Sequence, residues 1–521
     1  MYCEKFHAIS LDNPCPRYYH TSLMKSSHTF KGGFKFVNYR GQPQNTLIDL
    51  PIPQRVIIPL RQGSSSEVAP LVQVGDKVSA GQIIGRSDEA LSSPVHSSVY
   101  GTVEDIKRMN YFKRDVTMVV IRAEDKPGFE RLSGATLRWE QLSEEELERL
   151  IYLSGTSSLD RDGIPTRFKN SVILPKDVQS LIVHGVGSEP YNISLDVLLA
   201  DKRLLHLIEG LRILHKTMGQ AKVYLALNIH KKRMIEEARK ITANYDWLEV
   251  LALEPKYPQG YDEMLVPTIL NKRFPYGYSA ANIGIIVLNV QAVLAVYDAV
   301  CEGKPLIDRI IALCGTGLKE NLHVRARVGT PLSDIIQSRL DEKRPSRIVL
   351  NSALTGAALN DLSLPLDRTY SQLISIPEGN RRELLVFMRP GPRRDSYSRT
   401  FISALVPWVP KYCNTNMHGE RRPCITCNYC EEVCPVSIIP HLLSKYVRAG
   451  MADETLTNFK IFNCIECGLC SFVCPSKIPL ANDIKEGQEK LIMLGCDRTQ
   501  CILPYFDLKG IESYRGAKEI K

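Results

Sequence analysis

CITCNYCEEVCP, at residues 424–435, and CIECGLCSFVCP, at residues 464–475, repeat one cysteine pattern within a single chain. Each segment has three cysteines spaced three residues apart, then a fourth cysteine that is followed at once by proline. Three evenly spaced thiolates can wrap around one face of a cubane and reach three different irons, while the fourth points away. The pattern therefore predicts two 4Fe–4S clusters, which transfer single electrons.

The fourth cysteine of each repeat decides how the ligands are shared, because in two-cluster ferredoxins it binds the other cluster. The first set of ligands is then Cys424, Cys427, Cys430 and Cys474. The second set is Cys464, Cys467, Cys470 and Cys434. Zinc is the alternative metal. Zinc sites usually combine two Cys-x-x-Cys pairs, so the third evenly spaced cysteine in each repeat favours iron and sulfur.

The chain has 15 cysteines, and their clustering in a large chain argues for metal ligation rather than disulfides. Those outside the repeats lack ligand spacing, and we expect them to be buried free thiols. They are Cys3, Cys15, Cys301, Cys314, Cys413, Cys496 and Cys501.

Helical periodicity surrounds the repeats. The spacer between them predicts one helix and a second short helix, and residues 478–495 predict another. We therefore expect a ferredoxin-like, two-cluster helical module at 410–500 and a tail at 501–521. Apolar residues near the loops are expected to exclude water from the clusters: Ile425, Val433, Ile438, Ile439, Ile465, Phe472, Val473 and Ile478.

The remaining sequence is that of a multidomain protein, because 521 residues exceed the size of one core. The net charge of +9 comes from scattered basic residues and does not indicate nucleic-acid binding. No apolar signal segment is visible. The apolar run at 283–300 is interrupted by Asn289 and Gln291 and predicts a strand followed by a helix. We therefore expect an intracellular chain with at most a peripheral membrane role.

Short β-branched runs separated by turn residues fill residues 68–108. Together, QVGDKVSAGQIIG and SPVHSSVYGTV resemble a barrel-sandwich hybrid, the fold of biotinyl and lipoyl carriers. A carrier needs a lysine at its hairpin tip, and the matching stretch SDEALSSPVHSS has none. We therefore predict a scaffold domain at 31–125, after an N-terminal extension at 1–30, with His96 as a satisfied structural histidine.

Helical and strand-like runs alternate from about residue 145 to 300, which predicts an α/β domain with a mostly parallel sheet at 140–303. A nucleotide or flavin is expected at the loops after its strands. Residues 304–385 predict a small β-rich unit with a helix that begins near Pro331 and is capped by Thr330. The fold class is therefore multidomain α/β and α+β.

In this order, the segments resemble RnfC, the peripheral subunit of the ion-translocating ferredoxin:NAD oxidoreductase, from about residue 30 to 490. The hybrid segment, GKPLIDRIIALCGTG (303–317) and VGTPLSDII (328–336) are more specific to this family than the cysteine repeats. The resemblance implies an α/β domain of the complex I flavoprotein type that binds FMN and NADH, a β-grasp-like unit, and clusters that pass electrons to membrane subunits. The flavin takes a hydride and releases its two electrons singly.

The pocket segments depart from the family pattern. The glycine-rich flavin loop is replaced by LSGTSSLDRDGIPTRFK (153–169), and an acidic segment by NIHKK (228–232). A loop that cradles phosphate needs glycines for close backbone approach. We predict a domain that keeps its fold but has lost or remodelled its flavin site. Residues that match the family pattern at the degenerate FMN/NADH pocket are Gly155, Gly163, Glu189, Tyr257 and Gln259.

The sequence thus predicts an iron–sulfur electron-transfer subunit of a membrane-bound, ion-translocating oxidoreductase complex, attached peripherally to the cytoplasmic side of the inner membrane. Its partners are expected to be membrane-embedded and other peripheral subunits, with ferredoxin or another protein as electron donor. Two alternatives are an FMN-dependent input subunit that oxidises NADH and a soluble flavo-iron–sulfur protein related to cobalamin reductase. The degraded glycine loop counts against both.

Overall fold

The fold is taken from a computed structural model that describes residues 29–63, 65–87, 92–112, 114–157, 178–273, 280–344, 346–378, 406, 408–411 and 421–496. The first described segment, where the hybrid domain is predicted to begin at residue 31, pairs with later parts of the chain. Phe34 forms a β-bridge with Tyr257, and strand β1 (Leu47–Asp49) lies parallel to a strand at 322–327. These residues join distant units because their backbone partners come from later in the chain.

Two packed sheets form the hybrid domain, as the turn-rich pattern at 68–108 predicted. They share a core that includes Val56, Ile84 and Ile121. One sheet has the order β2-β8-β7-β4 and the other β3-β5-β6. The strands are β2 Arg55–Pro59, β3 Ala69–Pro70, β4 Lys77–Val78, β5 Ile83–Arg86, β6 Val95–His96, β7 Gly101–Tyr111 and β8 Arg114–Ala123.

The α/β domain has the mostly parallel sheet that was predicted. Its strand order is β11-β10-β9-β12, and every pair is parallel. Alternate side chains of β9 face opposite cores: Leu181 and Val183 pack with the helices of one face, and Ile182 packs on the other. The run at 283–300 is a strand and a helix, as predicted. The strands are β9 Ser180–Gly185, β10 Lys222–Asn228, β11 Leu248–Leu253 and β12 Ile285–Asn289.

The helices of this domain are α1 Glu144–Leu153, α2 Leu195–Leu198, α3 Arg203–Thr217, α4 Lys232–Ile241, α5 Asp262–Leu270 and α6 Val290–Cys301. Helix α1 begins with a capping box, in which Ser143 and Glu146 satisfy each other's backbone N–H groups. Strands β10 and β12 flank β9 on opposite sides. The chain runs from β9 to β10 and β11 on one side and then returns to β12 on the other side of β9. Such a reversal of strand order opens a crevice at the carboxyl ends of parallel strands.

A six-stranded mixed sheet follows, with the order β1-β14-β13-β17-β15-β16. Its short helix α7 (Leu332–Ile336) begins after Pro331, and no side chain caps it. The predicted cap was wrong, because the Thr330 hydroxyl donates instead to the Arg327 carbonyl at 2.7 Å. The other strands are β13 Asp308–Cys314, β14 Leu322–Arg327, β15 Ser346–Leu350, β16 Ala357–Leu359 and β17 Gln372–Pro377.

The two cysteine repeats lie in a module of short helices. The two predicted spacer helices and the predicted helix at 478–495 are present. The helices are α8 Tyr429–Glu432, α9 Pro440–Arg448, α10 Glu454–Asn458, α11 Leu469–Val473 and α12 Leu480–Met493. Helices α9 and α12 pack against each other and are joined by the Arg448–Asp483 ion pair at 2.7 Å. Among the described residues, no helix has the length and apolar character needed to cross a membrane.

Candidate functional site

The structure brings the first set of cysteines together. Cys424, Cys427, Cys430 and Cys474 line one small cavity, to which His441 and Ile478 also contribute. The Cys430 thiol is close enough to the other three for each to raise its pKa electrostatically. Three of these cysteines come from one repeat and one from the other. This is the crossed arrangement that the spacing predicted.

The second set is also brought together, around Cys470. The thiols of Cys467, Cys464 and Cys434 each act electrostatically on that of Cys470, and Cys430 of the first set does so more weakly. Cys434 comes from the first repeat, so the crossing is reciprocal. The two sets therefore lie side by side.

The loop backbones of the two repeats are arranged alike. Thr426 and Glu466 occupy the same position of each repeat, and both have a φ of +54°. In this conformation the backbone N–H of each donates to the Sγ atom of the first cysteine of its repeat, at 3.4 Å in both cases. Hydrogen bonds of this kind stabilise thiolates and tune the potential of a cluster.

The chemistry of the thiols fits an iron–sulfur cluster. Burial, with the neighbouring thiols, raises the pKa of Cys430 to about 12. Burial and adjacent thiols also raise the pKa of Cys470 well above its usual value. Four thiolates in one place need a strongly cationic centre, which iron supplies. Within the described part of the chain, no three His, Cys, Asp or Glu side chains are grouped to hold a single ion.

The two sets differ in exposure. In the second set all four cysteines are buried, whereas in the first set Cys424 is exposed and Cys427 and Cys474 are half-buried. Of the apolar residues expected to exclude water, Val433, Ile438, Ile465, Val473 and Ile478 are buried. The expectation was wrong for Ile425, which is 65% exposed. It lies on the outer side of the first set, next to the exposed Cys424.

The cysteines outside the two ligand sets also differ in exposure. Cys301 and Cys314 are buried free thiols, as predicted. Cys496 is exposed, so the prediction was wrong there, because helix α12 ends before it on the surface. Cys3, Cys15, Cys413 and Cys501 lie outside the described residues.

A cavity of about 1200 Å³ lies at the carboxyl ends of the parallel strands, at the predicted place for a nucleotide or flavin. Gly185, Asn228 and Asn289, the last residues of β9, β10 and β12, line it. The six-stranded sheet closes the opposite side with Asn351 and Gln372. The cavity is therefore a crevice between two domains.

The structure places the five predicted pocket residues differently from one another. Glu189 and Tyr257 line the cavity. Gln259 is completely buried beside Tyr257 but is not part of the lining. Gly155 lies away from the cavity, and Gly163 is outside the described residues. The roles of all five in binding stay predictions.

Gly155 lies instead where the hybrid domain, helix α1 and the six-stranded sheet meet. Its carbonyl accepts a hydrogen bond of 2.7 Å from buried Arg368, whose Nε also donates to Gln62 at 2.7 Å. A Cβ at Gly155 would lie 2.7 Å from the Pro94 carbonyl, and its φ is +70°. Only glycine fits here. This glycine therefore has a structural reason to be present, independent of any ligand.

His96 lies at the same junction. Burial, with nearby Arg368, lowers its pKa to about 3, so the ring is neutral. The expectation of a satisfied structural histidine holds only in part. The ring is held by the Leu153 backbone, but Nε2 has no hydrogen-bond partner among the described residues.

Family comparisons place these features in a known group. Residues 28–126 match the family described as the RnfC barrel sandwich hybrid domain. The chain is 30% identical over 487 residues to the C subunit of the ion-translocating oxidoreductase complex of Pseudomonas aeruginosa, covering 90% of this chain and 57% of that protein. The chain belongs to the RnfC family. It spans little more than half the length of this Pseudomonas relative.

Two further matches support the RnfC assignment along the chain. Residues 154–298 match the Nuo51 FMN-binding domain, and residues 423–479 match a 4Fe-4S dicluster domain. The C subunit of the proton-translocating ferredoxin:NAD(+) oxidoreductase complex of Clostridium ljungdahlii is 26% identical, over 84% of this chain and 88% of that one. The corresponding subunit of the Na(+)-translocating complex of Acetobacterium woodii is 25% identical, over 82% and 90%.

Several residues of this RnfC chain line the cavity but were not found from the sequence. Glu466, the residue between Cys464 and Cys467, reaches it from the cysteine module, and Lys231 reaches it from the turn after β10. Lys231 also forms an ion pair with Asp196. The substitution of NIHKK for an acidic segment was a signal for Lys231. No local signal pointed to Glu466, because its position depends on how two domains pack.

Tyr257 connects the cavity with the second set. Its hydroxyl donates to the Cys467 carbonyl at 2.8 Å, and its side chain also lines the cavity. Burial, with the nearby Tyr261, raises the pKa of Tyr257 far above its usual value, so the hydroxyl stays protonated. The cavity and the second set are therefore in direct structural contact, whereas no cysteine of the first set lines the cavity.

Proposed function

We propose that this chain is the iron–sulfur electron-transfer subunit of a membrane-bound, ion-translocating redox complex of the Rnf type. One observation carries the proposal: two reciprocal cysteine sets lie side by side, one against a large cavity and the other at the surface. An electron relay needs this arrangement, with one end close to a donor and the other accessible to an acceptor.

The ligands follow from the crossed sets. We assign one 4Fe–4S cluster to Cys424, Cys427, Cys430 and Cys474 and the other to Cys464, Cys467, Cys470 and Cys434. When bound, the clusters supply one-electron transfer. The chain's own residues shield the second set from water, through Ile465, Val473 and Tyr257, and leave the first set accessible through Cys424 and Ile425.

These surroundings set the order of the two clusters along the relay. Electrons that enter on the cavity side reach the second set first, because Tyr257 and Glu466 lie at the boundary between the cavity and that set. The cluster of the first set then transfers the electrons to a protein that docks over Ile425. In the reverse reaction, that cluster accepts electrons from this protein. Membrane-embedded and other peripheral Rnf subunits are the proposed partners, with ferredoxin or a similar protein as donor or acceptor.

The proposal also includes the domain boundaries of the chain and its location in the cell. We propose domains at 31–125 (hybrid), 140–303 (α/β), 304–385 (β-grasp-like) and 410–500 (ferredoxin-like), the last carrying the clusters. The chain would attach peripherally to the cytoplasmic face of the inner membrane. Its attachment would come from partner subunits.

A second candidate function is oxidation of NADH through FMN bound in the cavity. The match of residues 154–298 to an FMN-binding domain favours it. The N-terminus of helix α6 also lines the cavity, and Asn289 caps it by accepting from the Ala292 N–H at 2.8 Å. A helix N-terminus favours a phosphate group. Against it, Glu189, Asp262, Glu263 and Glu466 line the same cavity and disfavour anions.

One experiment tests both functions. The chain is purified without oxygen, and its iron, sulfide and flavin are counted in one sample before NADH and then dithionite are added. The relay predicts about eight irons per chain, absorbance that NADH leaves unchanged, and bleaching by dithionite. Bound FMN and bleaching by NADH would establish the second function instead. Fewer than about four irons in a folded chain would contradict both.

A further inference from the structure

Tyr257 is held rigidly between three parts of the chain. It is completely buried. Its backbone N–H donates to the Phe34 carbonyl at 2.8 Å, and its carbonyl accepts from the Phe34 N–H at 2.9 Å. Its ring packs edge-on against Phe36. A side chain fixed on both its backbone and its ring has one available direction for its hydroxyl.

That direction leads to the second set. The hydroxyl donates to the backbone carbonyl of Cys467 at 2.8 Å and lies 2.9 Å from the hydroxyl of Tyr261. Because the Tyr257 hydroxyl donates its one hydrogen to the Cys467 carbonyl, the Tyr261 hydroxyl must be the donor in the bond between the two tyrosines. The two hydroxyls form a chain that ends on a ligand residue of one cluster.

Such a hydrogen bond acts on a cluster in two ways. It fixes the backbone that carries the ligand, and it places a positive hydrogen near a centre whose negative charge increases on reduction. Partners beyond the direct ligands orient those ligands and tune a metal centre. Hydrogen bonding and solvent exposure are known determinants of iron–sulfur potentials. Tyr257 is completely buried, so bulk water does not screen its hydroxyl directly.

We propose that Tyr257 is a positioning residue for the second set and that its hydroxyl raises the reduction potential of the cluster held there. The proposal rests on the proposed function only in requiring that both clusters bind. The first set serves as an internal reference, because the Tyr257 hydroxyl bonds to Cys467 of the second set and the first set lies on the exposed side of the module.

The test is a redox titration of the anaerobically purified full chain, followed by electron paramagnetic resonance. The Cys424→Ser and Cys467→Ser variants assign the signals to the first and second sets. In Tyr257→Phe, the ring is kept and the donor is lost. We expect the potential of the second cluster to fall by about 59 mV, which is a tenfold change for a one-electron couple, while the first is unchanged.

Tyr446→Phe is the matched control. Tyr446 lies on helix α9 of the same module, where its ring stacks on Phe459, and we expect neither potential to change. A further variant replaces Tyr257 with 3-fluorotyrosine, which keeps the shape and strengthens the donor. The second potential should then rise. This variant also keeps the test decisive if Tyr257→Phe does not fold.

Three results would overturn the proposal. Unchanged potentials in a Tyr257→Phe protein with full iron would reduce Tyr257 to a packing residue. Equal shifts of both clusters would mean that the substitution acts on the whole module. A fluorotyrosine shift in the same direction as that of Phe would exclude the hydrogen bond as the cause. Absence of iron from the unmodified chain would instead contradict the proposed function.

Discussion

The two cysteine repeats have one pattern but different surroundings. The first cysteine is exposed in one repeat, as Cys424, and buried in the other, as Cys464. The next residue is isoleucine in both, yet Ile425 is 65% exposed and Ile465 only 7%. The loop backbones of the two repeats, and the hydrogen bonds that they donate from N–H to sulfur, are nevertheless alike. Local sequence therefore determines the loop, and the rest of the chain determines the surroundings.

The difference comes from parts of the chain far from the repeats. Tyr257, Phe36 and neighbouring residues of the α/β domain and the N-terminal segment pack with Ile465 and Leu469 of the second repeat, and with the inner residues Cys430 and Val433 of the first. The first repeat is exposed at its outer end, where Cys424 and Ile425 lie. We infer that the second site is built for insulation beside the cavity, and the first for exchange with a partner. Three experiments would break or sharpen this comparison.

The largest effect is expected from removing the fourth cysteines. If the ligands cross, Cys434→Ala removes the same cluster as Cys467→Ala, although residue 434 belongs to the other repeat. Likewise Cys474→Ala matches Cys427→Ala. Each variant should lose about four of about eight irons, and electron paramagnetic resonance should show which signal disappears. Pairing of Cys434→Ala with Cys427→Ala would mean that each repeat holds its own cluster.

The second experiment compares the two equivalent isoleucines. Ile465→Ala removes a buried side chain that packs near Tyr257, and we expect a loss of about 2–5 kcal/mol in the free energy of unfolding. Ile425→Ala changes an exposed side chain, with an expected effect within about 0.5 kcal/mol. Thermal unfolding of the iron-loaded chain measures both. Equal losses would show that the first site is covered, in contrast to the exposure of Ile425 in the structure.

The smallest effect is expected in the N-terminal segment at Gly32, which contacts the backbone of Cys434 of the second set. Gly32 has a φ of +72°, and a Cβ there would lie 2.6 Å from the Cys434 carbonyl oxygen. Gly450 has a φ of +76° with nothing within 4 Å, so it is a matched control. Both alanine variants carry the left-handed backbone cost of about 1–2 kcal/mol. Gly32→Ala should cost about 1–3 kcal/mol more from overlap.

The added cost should appear with a selective loss of the second cluster, measured as iron content and as its resonance signal. Equal behaviour of Gly32→Ala and Gly450→Ala, with both clusters retained, would show that the N-terminal segment does not support Cys434. The comparison between the repeats would then rest on Tyr257 and its neighbours alone.

Much of the architecture could be predicted from local patterns. The short apolar run of β9 and the longer apolar run that contains α6 predicted their types, because these patterns depend only on the local backbone of each element. The hybrid domain followed from its turns. The backbone partners of residues 34–49 were not predicted, since they are Tyr257, Lys411 and β14, which are distant in sequence. The Thr330 cap failed because a nearer carbonyl was available to its hydroxyl.

Part of the candidate site could likewise be predicted from the sequence, and part depended on the tertiary structure. Spacing alone determined which cysteines can share a cluster, because the reach of a short loop is set by covalent geometry. Glu189 and Tyr257 were found through a resemblance in their segments. That Gly155 belongs to a domain junction, that Glu466 faces the cavity and that Tyr257 reaches Cys467 depended on contacts between domains. The sequence by itself thus predicted the two ligand sets of this protein, and only the tertiary structure decided which set is buried and which is partly exposed, because burial is created by packing between residues far apart in the chain.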